Sequence, residues 1–457
     1  HPGWHTCGRL DSESGYLLGR PDSGESGYVL DGRAWRPVPR IQSRLSTIYR
    51  IRLENCPTDW YEFLLPEAQS TLKKPWHPKH KYLPMKITEV VCQIIRIKSV
   101  IAKTASSQDS VIVRIRTDNG LEGIGEADSS PEVVKAIVDA PFSHNIACGL
   151  RLLLVGENPL ETERLWQKMY RRTMYFGRTG VGITAMAAVD MALWDLKGKF
   201  FKQPIHCLLG GKQHSSIKAY ASILFGKDGA ATKEIAQKWV GEGYKAVKFG
   251  WEPMGQSEAV DIDLVRGARA GLGDSSTLLI DAGCVWDART ALQRAEKFKD
   301  YNIGWLEEPL REDDVEGYVW LRNRSPVPIA SGEGECGRES FRPFIDRNAL
   351  DVYQVDLSRN GFTESAYIRN RVEEIGARLC NHCYTSPLTA AASLHWLSTC
   401  RDAFLFEDCV EDSPLRHELT HEKVQAVDGY ISVPDGPGLG VTLNEDFVKA
   451  HLISESK

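Results

Sequence analysis

Between Tyr244 and Glu407 short apolar runs recur, and each ends on a polar or charged residue. In order they are YKAVK closing on Lys248, LLID on Asp281, GWLEEP carrying Glu307, VPIASGE on Glu333, VYQVD on Asp356, ARLCNH on His382 and AFLFE on Glu407. From Asp281 onward the intervals are 26 residues (281 to 307), 26 (to 333), 23 (to 356), 26 (to 382) and 25 (to 407). A short buried strand, a helix and two loops fill a repeat of that length, so an α/β barrel with parallel strands is the expected fold. Barrels of this kind gather their chemistry at the carboxyl ends of the strands. The spacing therefore predicts three carboxylates, a lysine and an Asp/His pair around one centre.

The flanks read differently. Residues 1–84 hold Gly, Ser, Pro and Arg clusters with no sustained periodicity, and are expected to form a poorly ordered extension. From Met85 the pattern changes: MKITEVVCQIIRI reads as a strand, and VIVRIRTDNGLEGIGEA as a hairpin turning at Asn119-Gly120. Helical segments follow: PEVVKAIVDA, then NPLETERLWQKMYRR with Asn158 as cap and Pro159 in the first helical position, then TAMAAVDMALWDLKGKFF. Strands followed by a run of helices indicate a separate α+β capping domain over 85–211. The barrel is expected over 212–410, and a segment over 411–457 is expected to return to the capping domain, with VPDGPGLGV as its loop.

Composition narrows the class. A net charge of -5 gives no electrostatic case for nucleic acid or an acidic membrane surface. No apolar run is long enough to span a bilayer. Eleven scattered cysteines, an odd number, suit reduced thiols in a cytoplasmic enzyme better than a disulfide framework.

Asp281, Glu307 and Glu333 supply three hard oxygen ligands from consecutive strand ends, which suits octahedral Mg2+ rather than zinc. An isolated Asp or Glu at a strand end is usually a solvated charge or a helix cap; three in register at a 26-residue interval are not. Strand alternation turns Tyr244, Ala246 and Lys248 to one face and Lys245 to the other, which makes Lys248 the inward candidate. His382 comes from further round the barrel, and Asp356, one strand earlier, is placed to hold one ring nitrogen while the other faces substrate. Together these groups suit abstraction of the proton α to a carboxylate, a weak carbon acid whose developing charge needs strong stabilisation. Glu407 is either a protonated acid donating to that charge or a group that positions ligands.

These residues resemble the enolase superfamily, specifically its mandelate racemase-like group. The resemblance covers about 85–457: the MKITEV start, the NGLEGIGEA hairpin, ALWDLKGK, WLEEPL, VDLSRNGFTE, the His382 strand and the VPDGPGLGV tail. It implies an α+β cap on a (β/α)7β barrel, and magnesium on Asp281, Glu307 and Glu333. It further implies bases Lys248 and His382 on opposite substrate faces, Asp356 as partner of His382, and Glu407 as the enediolate-stabilising acid. A small-molecule carboxylate substrate and a homo-oligomer are implied too. Dehydration of a sugar acid is the activity implied most often, with racemase, epimerase or lactone cycloisomerase as alternatives and a non-catalytic binding barrel as a lesser one. Many relatives carry Lys-x-Lys at the second strand end; this chain has Lys248-Phe249-Gly250. Substrate choice should rest on the cap, with 101–109 and the ADSSPEV stretch as candidate lids. Trp251, Tyr175, Arg178 and His144 are candidate pocket residues.

Three motifs compete. GEGECG from Gly332 to Gly337 matches a dinucleotide fingerprint, but Glu333 and Glu335 would repel a pyrophosphate. Cys380 and Cys383 form a CxxC without the second pair a zinc site needs. Ser70 to Lys73 reads SxxK without its companion motifs.

Overall fold

The computed structural model describes residues 85–100 and 108–456. The expected extension over 1–84, its SxxK match and most of the candidate lid over 101–109 lie outside the described residues.

Two sheets organise the rest. The first combines β1 (Ile87–Arg96), β2 (Asp109–Thr117) and β3 (Glu122–Ala127). The second contains β4 (Ser216–Leu224), β5 (Ala246–Gly250), β6 (Thr277–Asp281), β7 (Ile303–Glu307), β8 (Ile329–Ser331), β9 (Val352–Asp356), β10 (Arg378–His382) and β11 (Phe406–Cys409). The tail adds β12 (Tyr430–Ser432), antiparallel to β4, and β13 (Leu452–Glu455), antiparallel to β1. The small sheet therefore runs β13-β1-β2-β3 and is stitched from both ends of the described chain.

Strands β4 to β10 pair in parallel with their sequence neighbours, and β11 pairs back onto β4. Between β10 and β11 a Leu379–Ala403 bridge, a Glu407 amide on Asn381 Oδ1 (2.9 Å) and a Cys383 amide on Glu407 Oε2 (2.6 Å) close the ring. Helices Gly229–Gly241, Glu258–Leu272, Ala288–Phe298, Val315–Arg322, Arg338–Asp346, Leu357–Glu374 and Pro387–Leu397 fill the intervals, giving a (β/α)7β barrel. Asp228, Ser257, Asp287, Asp314, Asp356 and Ser386 start six of them by accepting a first-turn backbone N–H, which satisfies a donor the helix leaves open. Tyr220, Ala246, Leu279, Trp305, Ala330, Val352, Cys380 and Leu405 pack the barrel floor, one from each strand or its approach. Lys248, Asp281, Glu307, His382 and Glu407 sit one inward position above their floor residues, while Glu333 and Asp356 lie further along their strands, beyond Ala330 and Val352. Tyr244 departs from the expected alternation: it precedes the strand, packs with the outer core and donates its hydroxyl to Asp408 (2.7 Å).

The long cap helix Val181–Phe201 packs against Leu357–Glu374 of the barrel. Asp190 on the first accepts from the Thr363 amide (2.8 Å) and hydroxyl (2.6 Å) on the second. Gly361 sits in that contact at φ 64, and a Cβ there would lie 2.7 Å from Asp190 Oδ2. At the end of β3, buried Glu126 accepts from Ser386 Oγ (2.6 Å) and Thr389 Oγ1 (2.7 Å) at the start of a barrel helix. The cap is thereby held over the carboxyl ends of the strands.

One helix start differs from expectation. Asn158 does not cap a helix beginning at Pro159; its Oδ1 accepts from the Leu160 amide (3.1 Å) in a preceding turn, and the helix runs Thr162–Arg172. An Asn-Pro pair serves a turn as well as a cap, and here the turn prevails.

Candidate active site

Asp281, Glu307 and Glu333 come together as the spacing predicts. Each offers a carboxylate oxygen within 4.8 Å of the others, and all three are buried. Trp305 Nε1 holds Glu307 Oε2 (2.8 Å), and the Gly283 amide holds Asp281 Oδ1 (2.9 Å). Burial pushes Asp281 up to about 7 despite Lys248, and Glu333 adds to the rise. Burial also raises Glu307 well above the ordinary carboxylate range, with Asp281 and Glu333 opposing its ionisation. Carboxylates that resist ionising side by side are what a divalent cation compensates, so an all-oxygen donor set of this kind could hold a hard metal ion.

Lys248 does not stand free. Its Nζ lies 2.5 Å from Glu307 Oε1, 2.8 Å from Glu407 Oε1 and 3.8 Å from Asp281 Oδ2. Burial alone would lower its pKa, but Glu307, Glu407 and Asp281 hold it well above the usual lysine value. Glu407 shows the converse. Burial opposes its charge, yet Lys248 and His382 bring it down to about 2, and the Cys383 amide adds a bond. Pairing with the Lys248 ammonium favours the ionised form of Glu407, the form that would position ligands.

His382 Nδ1 meets Asp356 Oδ2 at 2.6 Å, and its Nε2 faces Glu333 Oε1 at 3.5 Å. Asp356 is fully buried and fixed by the Ser358 amide (2.7 Å) and hydroxyl (2.5 Å) on its other oxygen. Burial disfavours the imidazolium, but Glu333, Glu407 and Asp356 together raise His382 to about 10. Asp128 joins Asp356 and His382 in a second acidic grouping, though its Oδ2 is occupied by Arg359 (3.0 Å).

A cavity of about 220 Å³ opens over these residues, lined by Ser222, Lys248, Asp281, Glu333 and His382 among others. Trp251 lines it, as expected. Tyr175 and Arg178 do not: Tyr175 is 71% exposed and stacks edge-on against His144, while Arg178 borders a separate groove beside Trp166 and Arg338. Gly250, the last residue of the Lys248-Phe249-Gly250 run, faces Asp281 so closely that a Cβ would fall 2.8 Å from Oδ2. Glu308, Glu312, Arg359 and Tyr384 also line the cavity and escaped the sequence reading. Arg359 had a detectable signal, a charge inside the junction DLSRNG; it donates to the Glu333 carbonyl (2.8 Å) as well as to Asp128.

The rival motifs resolve within the same architecture. Glu333 of GEGECG belongs to the carboxylate trio, and the Gly337 amide that a phosphate would need donates to Asn360 Oδ1 (2.6 Å). Cys380 lies in the barrel floor, its thiol donating to the Leu405 carbonyl (3.1 Å); the described cysteines are all free.

A barrel of this topology, with three carboxylates on consecutive strands and a His–Asp pair across from them, defines an enolase-type enzyme. Comparison agrees. Residues 85–210 match the "Mandelate racemase / muconate lactonizing enzyme, N-terminal domain" family and 231–447 the "Enolase C-terminal domain-like" family. The chain belongs to the mandelate racemase/muconate lactonizing enzyme family. It is 29% identical over 350 residues to the D-galactarolactone cycloisomerase of Agrobacterium fabrum, covering 74% of this chain and 89% of that one. It is 31% identical over 358 residues to the D-galactonate dehydratase of Xanthomonas campestris pv. campestris, covering 74% and 90%. The crystal structure of the 3,6-anhydro-D-galactonate cycloisomerase from Zobellia galactanivorans superposes with a TM-score of 0.73 at 30% identity, covering 81% of this chain and all (100%) of that one. The relatives are thus lyases and isomerases of sugar acids. Among the described residues no helix is long and apolar enough to cross a membrane.

Proposed function

We propose that this enzyme uses Mg2+ held by Asp281, Glu307 and Glu333 to remove the proton α to the carboxylate of a sugar acid, and dehydrates it to a 2-keto-3-deoxy acid. The observation that carries the reading is the His382–Asp356 pair, 2.6 Å apart and buried, with the free Nε2 turned toward the carboxylate trio across the cavity. When bound, the metal would supply Lewis-acid stabilisation of charge developing on the substrate carboxylate.

The chain's own groups divide the remaining work. With the Glu333 charge that holds a proton on His382 offset by a cation on the trio, Nε2 is left to take the C2 proton while Asp356 stabilises the imidazolium that forms. The same imidazolium returns its proton to the C3 hydroxyl as the C3–O bond breaks, so water leaves and the C2=C3 enol ketonises with a proton at C3. Lys248, held as a cation by Glu307 and Glu407, adds positive charge beside the substrate carboxylate rather than acting as a base. With Gly250 and an ion-paired Lys248 on the opposite side, proton exchange between two faces lacks its second base. That weighs against racemisation. Cycloisomerisation is the second reading, supported by the names of two of the three relatives above, one of them acting on a lactone; it needs the same α-proton step.

The test is α-proton exchange in deuterated buffer with magnesium, followed by NMR over hexonic, hexaric and pentonic acids and their lactones. Deuterium at C2 of one acid with formation of its 2-keto-3-deoxy product supports dehydration. A ring-shifted or opened lactone without keto product assigns cycloisomerisation. No exchange in any acid, with magnesium binding measured independently, overturns the reading.

A further inference from the structure

Alternation along β7 turns Trp305 and Glu307 into the barrel and Leu306 out toward the helices, so Glu308 should also point out. It does not. Glu308 takes φ 40, a left-handed backbone that a non-glycine residue keeps only where its surroundings enforce it. Both neighbouring strands enforce it: the Glu308 amide donates to the Ala330 carbonyl (3.0 Å), and its carbonyl accepts from the Cys284 amide (2.7 Å). The bend returns the side chain to the mouth of the barrel, where it lines the catalytic cavity at 3% exposure. Trp251 repeats the device two strands earlier, at φ 66 on the same cavity wall.

The carboxyl group brought there is half used. Oε2 accepts the Cys284 thiol at 3.5 Å, while Oε1 is buried without a hydrogen-bond partner among the described residues. A buried polar atom without a partner costs free energy that a ligand can recover. Across the cavity, Tyr384 contributes a hydroxyl oxygen that is also buried and unpartnered. Two vacant hydrogen-bonding groups on opposite walls fit a ligand that carries hydroxyls along its length rather than an alkyl chain.

We propose that Glu308 is a specificity-determining residue that hydrogen-bonds a substrate hydroxyl beyond the reacting carbons, and so selects polyhydroxylated acids over alkyl acids. The inference rests on the sugar-acid reading above, and binding rather than turnover tests it.

The experiment is isothermal titration of the magnesium-loaded full-length protein with the D-hexonates and with hexanoate, for wild type, Glu308→Gln and Glu308→Ala. Wild type should bind at least one hexonate more tightly than hexanoate. Glu308→Ala should weaken that hexonate about tenfold or more, and Glu308→Gln, which keeps a hydrogen-bonding group in the same place, by about fivefold or less. Hexanoate binding and magnesium titration should stay within twofold. Equal weakening of both acids, loss of magnesium binding in Glu308→Gln, or a wild type that does not distinguish hexonates from hexanoate would overturn the proposal. Hexonate selectivity that depends on Glu308 but comes without turnover of any acid would sink the proposed reaction and leave this inference standing.

Discussion

Replacing Asp356 with asparagine tests the assignment of His382 as the base through a consequence specific to this geometry. Asp356 Oδ1 accepts from the Ser358 amide (2.7 Å) and hydroxyl (2.5 Å), while Oδ2 meets His382 Nδ1 at 2.6 Å. In Asp356→Asn the Ser358 amide still needs an acceptor, so the carboxamide oxygen must stay on that side and its NH2 must face the imidazole. An N–H directed at Nδ1 makes Nδ1 the acceptor and moves the ring proton to Nε2, the atom that has to take the substrate proton. Holding the wrong tautomer costs about 1–3 kcal/mol, and the charged bond that stabilised the imidazolium is worth about 1.5–3 kcal/mol. At about 1.4 kcal/mol per decade these sum to a loss of roughly 10²–10⁴ in kcat. Although isosteric, the variant should be no better than Asp356→Ala. The assay is α-deuterium exchange with magnesium on the acid that wild type turns over, with thermal melting to show that the fold is intact. An Asp356→Asn enzyme within fivefold of wild type would refute the role given to the pair.

Three further outcomes follow from other parts of the structure. Magnesium at about a hundred times its Kd should stabilise the fold by about 2.7 kcal/mol, seen as a melting temperature higher by a few degrees and reversed by EDTA; Asp281→Asn and Glu333→Gln should abolish the response, and an unchanged response would remove the trio as the metal site. Gly250→Ala places a methyl 2.8 Å from Asp281 Oδ2, so it should weaken magnesium about tenfold or more in a folded protein; unchanged affinity would show that Asp281 is free to move. His395 is buried, with Nδ1 accepting the His206 amide (3.4 Å) and Nε2 donating to the Leu439 carbonyl (3.0 Å), and burial depresses it from 6.5 to about 4. The unfolded chain therefore binds the extra proton first, and up to ~3 kcal/mol of stability should be lost as pH falls from about 6.5 to about 4; denaturant melts of His395→Gln should show a shallower pH dependence over that window, and an identical slope would refute it.

What could be read from the sequence and what could not divide along one physical line. The interval of about 26 residues was legible because a barrel strand is short, buried and ends where its helix connection begins, so Asp281, Glu307, Glu333, Asp356, His382 and Glu407 announce themselves by position alone. The pairing of His382 with Asp356 was legible for the same reason, since adjacent parallel strands bring equivalent end residues side by side. Protonation was not legible. Lys248 reaches Glu407 across β4 and favours its ionised form, and nothing in AFLFE records that neighbour. Cap residues were legible only in part. The ADSSPEV stretch named as a candidate lid does reach the barrel, where Asp128 pairs with Arg359. Tyr175 and Arg178 lie away from the cavity, because tertiary packing decides which loop overhangs it.

Glu308 marks the sharpest limit, because there the rule that located its neighbour gives the wrong answer. Period-two alternation places Glu307 inside and must place Glu308 outside, and it fails at the residue where β7 ends and the backbone turns left-handed. The same failure occurs at Trp251, just past β5. Periodicity describes a strand only while the ladder continues, whereas the cavity begins where the ladder stops. Sequence pattern therefore locates the groups at the strand ends. It misses the cavity residues one step beyond them, whose backbone conformations are set by the flanking strands.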